Sequence, residues 1–279
     1  MPDIYGSHFE FGGRMSRTYN LWIANISTKR FLQLHGRVDG VTVYNRAQNK
    51  RHLVGNSYSN SPVSFDVEII TLDGHGLEKD ERREIEKWLF QPNMYQKLYI
   101  DVVDDPDGEF SEMIDGERKR LYLNCRFTNP EKIEFNGGII GYQATLETDS
   151  GYWWQDPVTK TFTLNQSDSQ ANTISFFTDT DIAGFTFPRV TIVVGAQGGA
   201  ISLTNVSSGS YANAITTNLT NTTPGSTIIL DGSTGYINGS NYQRFLGWRF
   251  PRIYDGENVF QVAGSVNTIS FKFQNRRMF

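Results

Sequence analysis

Apolar and polar positions alternate with a period of two over residues 63–70. Val63, Phe65, Val67 and Ile69 share one face; Ser64, Asp66 and Glu68 share the other, and Ile70 breaks the pattern at the end. A half-buried β-strand has this alternation. Apolar runs bounded by polar turns predict further strands at residues 21–24, 38–44, 96–101, 120–127 and 135–149. One stretch instead has helical spacing. Ile85, Trp88 and Leu89 fall at i, i+3 and i+4, while Glu78, Lys79, Glu81, Arg82, Glu84 and Glu86 occupy the other face. Pro92 follows where a helix would stop. Residues 45–61 form a polar stretch with Arg46, Lys50, Arg51 and His52. It is too long for a tight turn, and such excursions are usually disordered or reach a partner.

After Asp156-Pro157 the pattern predicts β-strands alone. Candidates lie at residues 162–164, 173–177, 189–194, 200–205, 227–231, 236–237, 258–262 and 268–273, separated by Gly, Asn and Ser. Many short strands so spaced favour a β-sandwich, often of jelly-roll type. Gly195-Ala196-Gln197-Gly198-Gly199 lies between two of them and reads as a hairpin turn. No period of 20–50 residues repeats, against a solenoid or propeller.

Charge divides the chain. Residues 1–150 hold 18 Lys and Arg against 23 Asp and Glu; residues 151–279 hold 8 against 7 and are rich in Ser, Thr, Asn and Gly. The expectation is two domains, 1–150 and 151–279, each able to bury a core. The fold class is mostly β, with one helix in the first domain. The net charge of -4 gives no global attraction to nucleic acid. Nothing approaches the apolar length of a bilayer span, and the N-terminus has no secretory pattern. Lone Cys125 excludes an intrachain disulfide and reads as a small buried residue.

The search for chemistry finds no catalytic, cofactor or metal residues to commit to. His8, His35, His52 and His75 show no metal-ligand spacing. No Gly-x-Ser-x-Gly elbow and no phosphate-cradling loop is present. The acidic run from Asp104 to Glu109, with Asp105, Pro106, Asp107 and Gly108, superficially resembles a calcium loop but lacks its full spacing and distal Glu. It reads as a turn between strands. Two carboxylates acting on a glycosidic bond remain a weak third option, because spacing alone places no such pair. Tyr152-Trp153-Trp154 could stack on sugar, but reads first as packing at the domain junction. Arg276 and Arg277 read as solvated, or as part of an assembly contact.

Several pieces, in order, resemble the distal tail proteins of long-tailed phages. In the first domain these are the helix ending Trp88-Leu89, then Lys97-Leu98-Tyr99-Ile100, Phe135-Asn136-Gly137, and Gly141-Tyr142-Gln143-Ala144-Thr145-Leu146-Glu147. Asp149-Ser150-Gly151-Tyr152-Trp153-Trp154 resembles that family's domain junction. The second domain adds Ile201-Ser202-Leu203-Thr204-Asn205, Ile228-Ile229-Leu230-Asp231, Tyr236-Ile237-Asn238-Gly239 and the run from Phe250 to Asn258. The resemblance implies an N-terminal hub domain building a homo-hexameric ring, and a C-terminal galectin-like sandwich facing outward. It implies a virion protein at the tail tip, made in the host cytoplasm. Its expected partners are other copies of itself, the tail tube protein, the tail-tip hub protein and receptor-binding proteins. DNA would only pass through, no membrane is involved, and no cofactor is needed. The alternative is a carbohydrate-binding adhesion protein whose sandwich recognises host polysaccharide.

Overall fold

The computed structural model describes residues 6–24, 38–45, 50–58, 62–106, 108–166, 171–182, 184–207, 215–238, 245–247 and 249–278. The chain forms two compact units: Met1–Asp156 with Arg276–Phe279, and Pro157–Asn275. The division lies just beyond the expected boundary at residues 150 and 151, and the last residues return to the first unit.

In the first unit the strands are β1 (Phe9–Phe11), β2 (Arg14–Met15), β3 (Leu21–Ala24), β4 (Val38–Asn45), β5 (Lys50–Tyr58), β6 (Ser64–Thr71), β7 (Gln96–Ile100), β8 (Ser111–Ile114), β9 (Glu117–Phe135), β10 (Gly138–Thr148) and β11 (Trp153–Gln155). Helix α1 (Lys79–Phe90) lies between β6 and β7. The main sheet runs β2-β1-β7-β9-β10-β6-β3. It then closes on itself. Ser7 bridges Ile23 of β3, Gly6 N donates to Ile23 O at 2.7 Å, and Ile23 N donates to Ser7 O at 3.0 Å. Residues 7–11 therefore bond β3 at one end and β7 at the other, and the sheet becomes a barrel. Closure removes the open edges that a sheet otherwise presents.

The apolar stripe of α1 packs into this barrel. Ile85, Trp88 and Leu89 are buried with Phe9, Phe11, Leu123 and Phe127. Trp88 stacks on Phe9 at 5.8 Å between ring centres, and its Nε1 donates to Phe11 O at 2.8 Å. Burying the indole N–H with a partner avoids the cost of an unpaired donor. At the helix start, Glu81 accepts from the Glu78 N–H at 3.0 Å, half of a capping box.

Two tight turns set the register of the long strands. Asp115 and Gly116 join β8 to β9, and Asn136 and Gly137 join β9 to β10; all four have positive φ. Asx-Gly pairs with both residues left-handed make type I′ turns, whose twist matches antiparallel strands. Gly141 permits the close approach of β10 to β6, since a Cβ there would lie 2.1 Å from Ile69 O.

In the second unit the strands are β12 (Val158–Gln166), β13 (Asn172–Thr178), β14 (Phe185–Thr186), β15 (Arg189–Val194), β16 (Gly199–Asn205), β17 (Ile215–Thr222), β18 (Thr227–Asp231), β19 (Tyr236–Ile237), β20 (Phe245–Leu246), β21 (Ile253–Tyr254), β22 (Gly256–Ala263) and β23 (Val266–Phe273). One sheet has the order β12-β23-β15-β18-β19, the other β13-β22-β16-β17-β20. Phe176 and Phe260 of the second sheet meet Phe271 of the first at 5.0 and 4.8 Å between ring centres, so the sheets pack face to face. The expected sandwich is present.

Three sequence expectations need correction. The turn at Gly195–Gly199 is no hairpin: β15 and β16 lie in different sheets, so this turn carries the chain across the core. Its backbone bonds go to the next crossing instead, with Gly195 N donating to Ser265 O at 2.8 Å. The polar stretch at residues 45–61 is largely a strand, β5, paired along its length with β4. Its residues 46–49 and 59–61 lie outside the described residues. Finally, Arg276 and Arg277 are not a solvated end. They form β24 (Arg276–Arg277), which pairs with β11, and Arg277 is only 7% exposed.

Candidate assembly interface

The β4–β5 hairpin is the part of the first unit that the barrel does not absorb. It forms a separate two-stranded sheet, and among the described residues neither strand pairs with any other. It interrupts a direct neighbour pair, since β3 and β6 bond to each other from Leu21 opposite Thr71 to Ala24 opposite Glu68. Adjacent antiparallel strands need only a short turn. Here the chain spends residues 25–63 on the connection. Of that connection the described part, β4 and β5, forms a hairpin outside the barrel's sheet.

Around the point where the chain leaves the first unit, side chains hold it firmly. The Tyr99 hydroxyl donates to Asp156 at 2.8 Å, and the Arg120 guanidinium sits 3.9 Å over the Tyr99 ring. Burial, and then the Asp156 carboxylate, push the Tyr99 hydroxyl far above its ordinary pKa. Asp156 N donates to Arg120 O at 2.8 Å, and Arg120 N donates back to Asp156 Oδ2 at 3.2 Å. The returning strand is clamped too. Arg277 donates through Nε and an Nη to both oxygens of Glu112, at 2.5 and 2.7 Å, and Gln155 donates to the same carboxylate. A bidentate guanidinium–carboxylate pair is among the stronger polar contacts. Both strands connecting to the second unit are thus anchored in the first.

The residues singled out for chemistry have structural partners. Asp104 accepts from the backbone N–H and Nδ1 of His8, at 2.8 and 2.9 Å, and from Arg17 at 3.2 Å. Asp105 accepts from Phe110 N and the Ser111 hydroxyl, and faces Arg118 at 3.4 Å. Asp105 is thus bound into its own turn, whereas Asp104 ties the turn to His8 and Arg17; Asp107 lies outside the described residues. No group of three or more His, Cys, Asp or Glu suited to a metal occurs among the described residues. His75 faces Asp73 in the loop before α1, and that contact holds Asp73 below the usual carboxylate range. His35 lies outside the described residues, as does the His52 side chain. Trp153 is fully buried against Phe110 at 5.2 Å, and Tyr152 packs edge-on to Trp154, so the aromatic triplet packs in the first unit. Cys125 is buried, and burial raises its thiol pKa well above the ordinary value.

Sequence reasoning missed the Glu112–Arg277 clamp because its partners lie 165 residues apart. It missed the barrel closure for a similar reason, as one bridge from Ser7 leaves no periodic trace.

Two family profiles match in series: a phage tail protein N-terminal domain over residues 4–150 and a phage tail C-terminal domain over residues 152–273. No curated protein matches the sequence. Among solved structures, the chain is similar to the Dit protein of phage SPP1, a hub of the adsorption apparatus in phages infecting Gram-positive hosts. The TM-score is 0.61 at 12% identity, covering 97% of this chain and 99% of that one. It is also similar to a chain of the phage P2 baseplate in its activated conformation, with a TM-score of 0.50 at 10% identity, covering 98% and 99%. At these identities the likeness shows the fold, and the family profiles show the kinship. The two profiles together cover residues 4–150 and 152–273, and this chain belongs to the phage tail protein family.

Proposed function

We propose that this protein is a structural distal tail component whose first unit builds a homo-hexameric ring between the tail tube and the tail-tip hub, leaving a channel for DNA. The observation that carries this reading is the β4–β5 arm. A ring needs two different surfaces on each subunit in a heterologous contact. A closed barrel supplies a rigid body, and a projecting hairpin supplies a means of reaching the next one. The excess of acidic residues in 1–150 suits a passage that must not hold a polyanion, because phosphate binding depends on cationic neighbours. The second unit then meets other tail components, among them receptor-binding proteins. The site of action is the virion tail tip, and the protein works without catalysis or cofactor. No helix among the described residues is long and apolar enough to cross a membrane.

The test is the mass and shape of the purified protein by light scattering and negative-stain microscopy. Six-fold rings with a central opening are expected, and deletion of residues 45–61, which removes β5, is expected to abolish them. Rings that survive the deletion would sink the arm assignment. The alternative, recognition of host polysaccharide by the second unit, predicts selective signals on a glycan array and no need for a ring.

A further inference from the structure

Among the described residues the sandwich of the second unit has four edge strands, and three carry a feature that discourages strand addition. β19 and β20 are two residues long. β12 carries Lys160 and loses register between Thr163 and Gln166. Short length, an edge lysine and a bulge are recognised protections against edge-to-edge pairing. β13 has none of them. It pairs with β22 over seven residues without a register shift, and it contains neither charge nor proline. Among the described residues no strand covers its other edge from Thr173 to Phe177. Ile174 and Phe176 point into the core, while Thr173, Ser175 and Phe177 face out, Phe177 at 65% exposure. A regular, uncharged strand rich in β-branched and aromatic residues is a template for another strand.

We propose that this edge pairs with β13 of a second copy, antiparallel about Ser175. The register argues for that occupant. With Ser175 opposite its counterpart, Ile174 falls opposite Phe176 and Thr173 opposite Phe177. Inward apolar residues meet apolar residues, the exposed Phe177 ring lies against Thr173, and no formal charge opposes another. Asp179 and Asp181 fall beyond the paired segment and stop it at the length of the strand. A two-fold contact uses up both edges, so the pairing closes instead of growing into a fibre. This contact lies in the second unit and uses no surface of the proposed ring.

The test is light scattering on the full chain at matched concentration, for the natural protein, Ser175→Lys, Ser175→Glu and an equal mixture of the two variants. Ser175 sits on the two-fold axis, so each variant alone sets like charges face to face and the mixture sets opposite ones. The natural protein is expected to have twice the mass of either variant, with the mixture returning to the doubled mass. An unchanged thermal midpoint establishes that both variants fold. Equal masses throughout, or a halving that mixing does not reverse, overturns the pairing. Six-fold rings of undoubled mass remove this inference and leave the proposed function standing; doubled mass without rings does the reverse.

Discussion

Asp101 illustrates how single residues hold the barrel corner together. Burial opposes its charge, but the Val103 N–H and the Arg17 guanidinium at 2.8 Å outweigh that penalty and keep its pKa below the ordinary value. A carboxyl depressed in the folded state adds stability that is complete above about pH 4 and fades as pH falls through the folded value. Asp101→Asn is therefore expected to unfold at lower denaturant than the natural protein at pH 7. The difference should shrink as the pH is taken well below 4. Denaturant midpoints across that range check it, and a constant difference would remove the charge from the account. At the same scale, Asn258 shows polar burial with full satisfaction. Its amide donates to Tyr254 O at 2.8 Å and to Thr178 Oγ1 at 3.1 Å, while its oxygen accepts from Tyr254 N at 2.9 Å. A satisfied buried amide fixes the loop between β21 and β22, where an unsatisfied one would destabilise it.

Among the elements, α1 is one whose interior contacts the sequence made legible. Its three apolar positions do pack inward, and Trp88 meets the rings of Phe9 and Tyr19. Trp88→Ala leaves a cavity beside Phe9 and removes one hydrogen bond to Phe11 O. A loss of about 4 kcal/mol in unfolding free energy is expected, measured by denaturant titration; a loss below about 1 kcal/mol would mean that the helix is not a core element. β5 is the contrasting case. It pairs only with β4 among the described residues, and its residues 50–58 are mostly polar with no period-two alternation. A polar strand of this kind reads as a loop. β9 was read short at 120–127 because its far half, in the hairpin with β10, is mostly exposed and its apolar pattern fades.

For the whole molecule, the informative feature is that the second unit is inserted into the first, between β11 and β24. Removing residues 276–279 deletes β24 and frees Glu112, a partner of Gln155, while the second unit retains its own two sheets. Breaking a largely buried ion pair costs about 3 kcal/mol, so the truncated protein is expected to show an early transition for the first unit and an unshifted one for the second. Calorimetry separates the two; a single unshifted transition would show that the clamp carries no stability. The ring and the strand-edge pairing belong to the same scale, and their different units let them be tested separately.

What the sequence determined by itself is local. Period two marked strands with one buried face, and the i, i+3, i+4 stripe marked α1. Residue order also carried the likeness to distal tail proteins. These readings succeed because burial of one face is written into neighbouring residues. The tertiary structure alone decided which strands bond. It closed the barrel through Ser7 and Ile23, sent the chain between sheets at Gly195–Gly199, paired β5 with β4 outside the core, and brought Arg277 back to Glu112. Hydrogen-bond partners across a sheet are chosen by the packing of the whole, and residues 165 apart leave no periodic mark on each other.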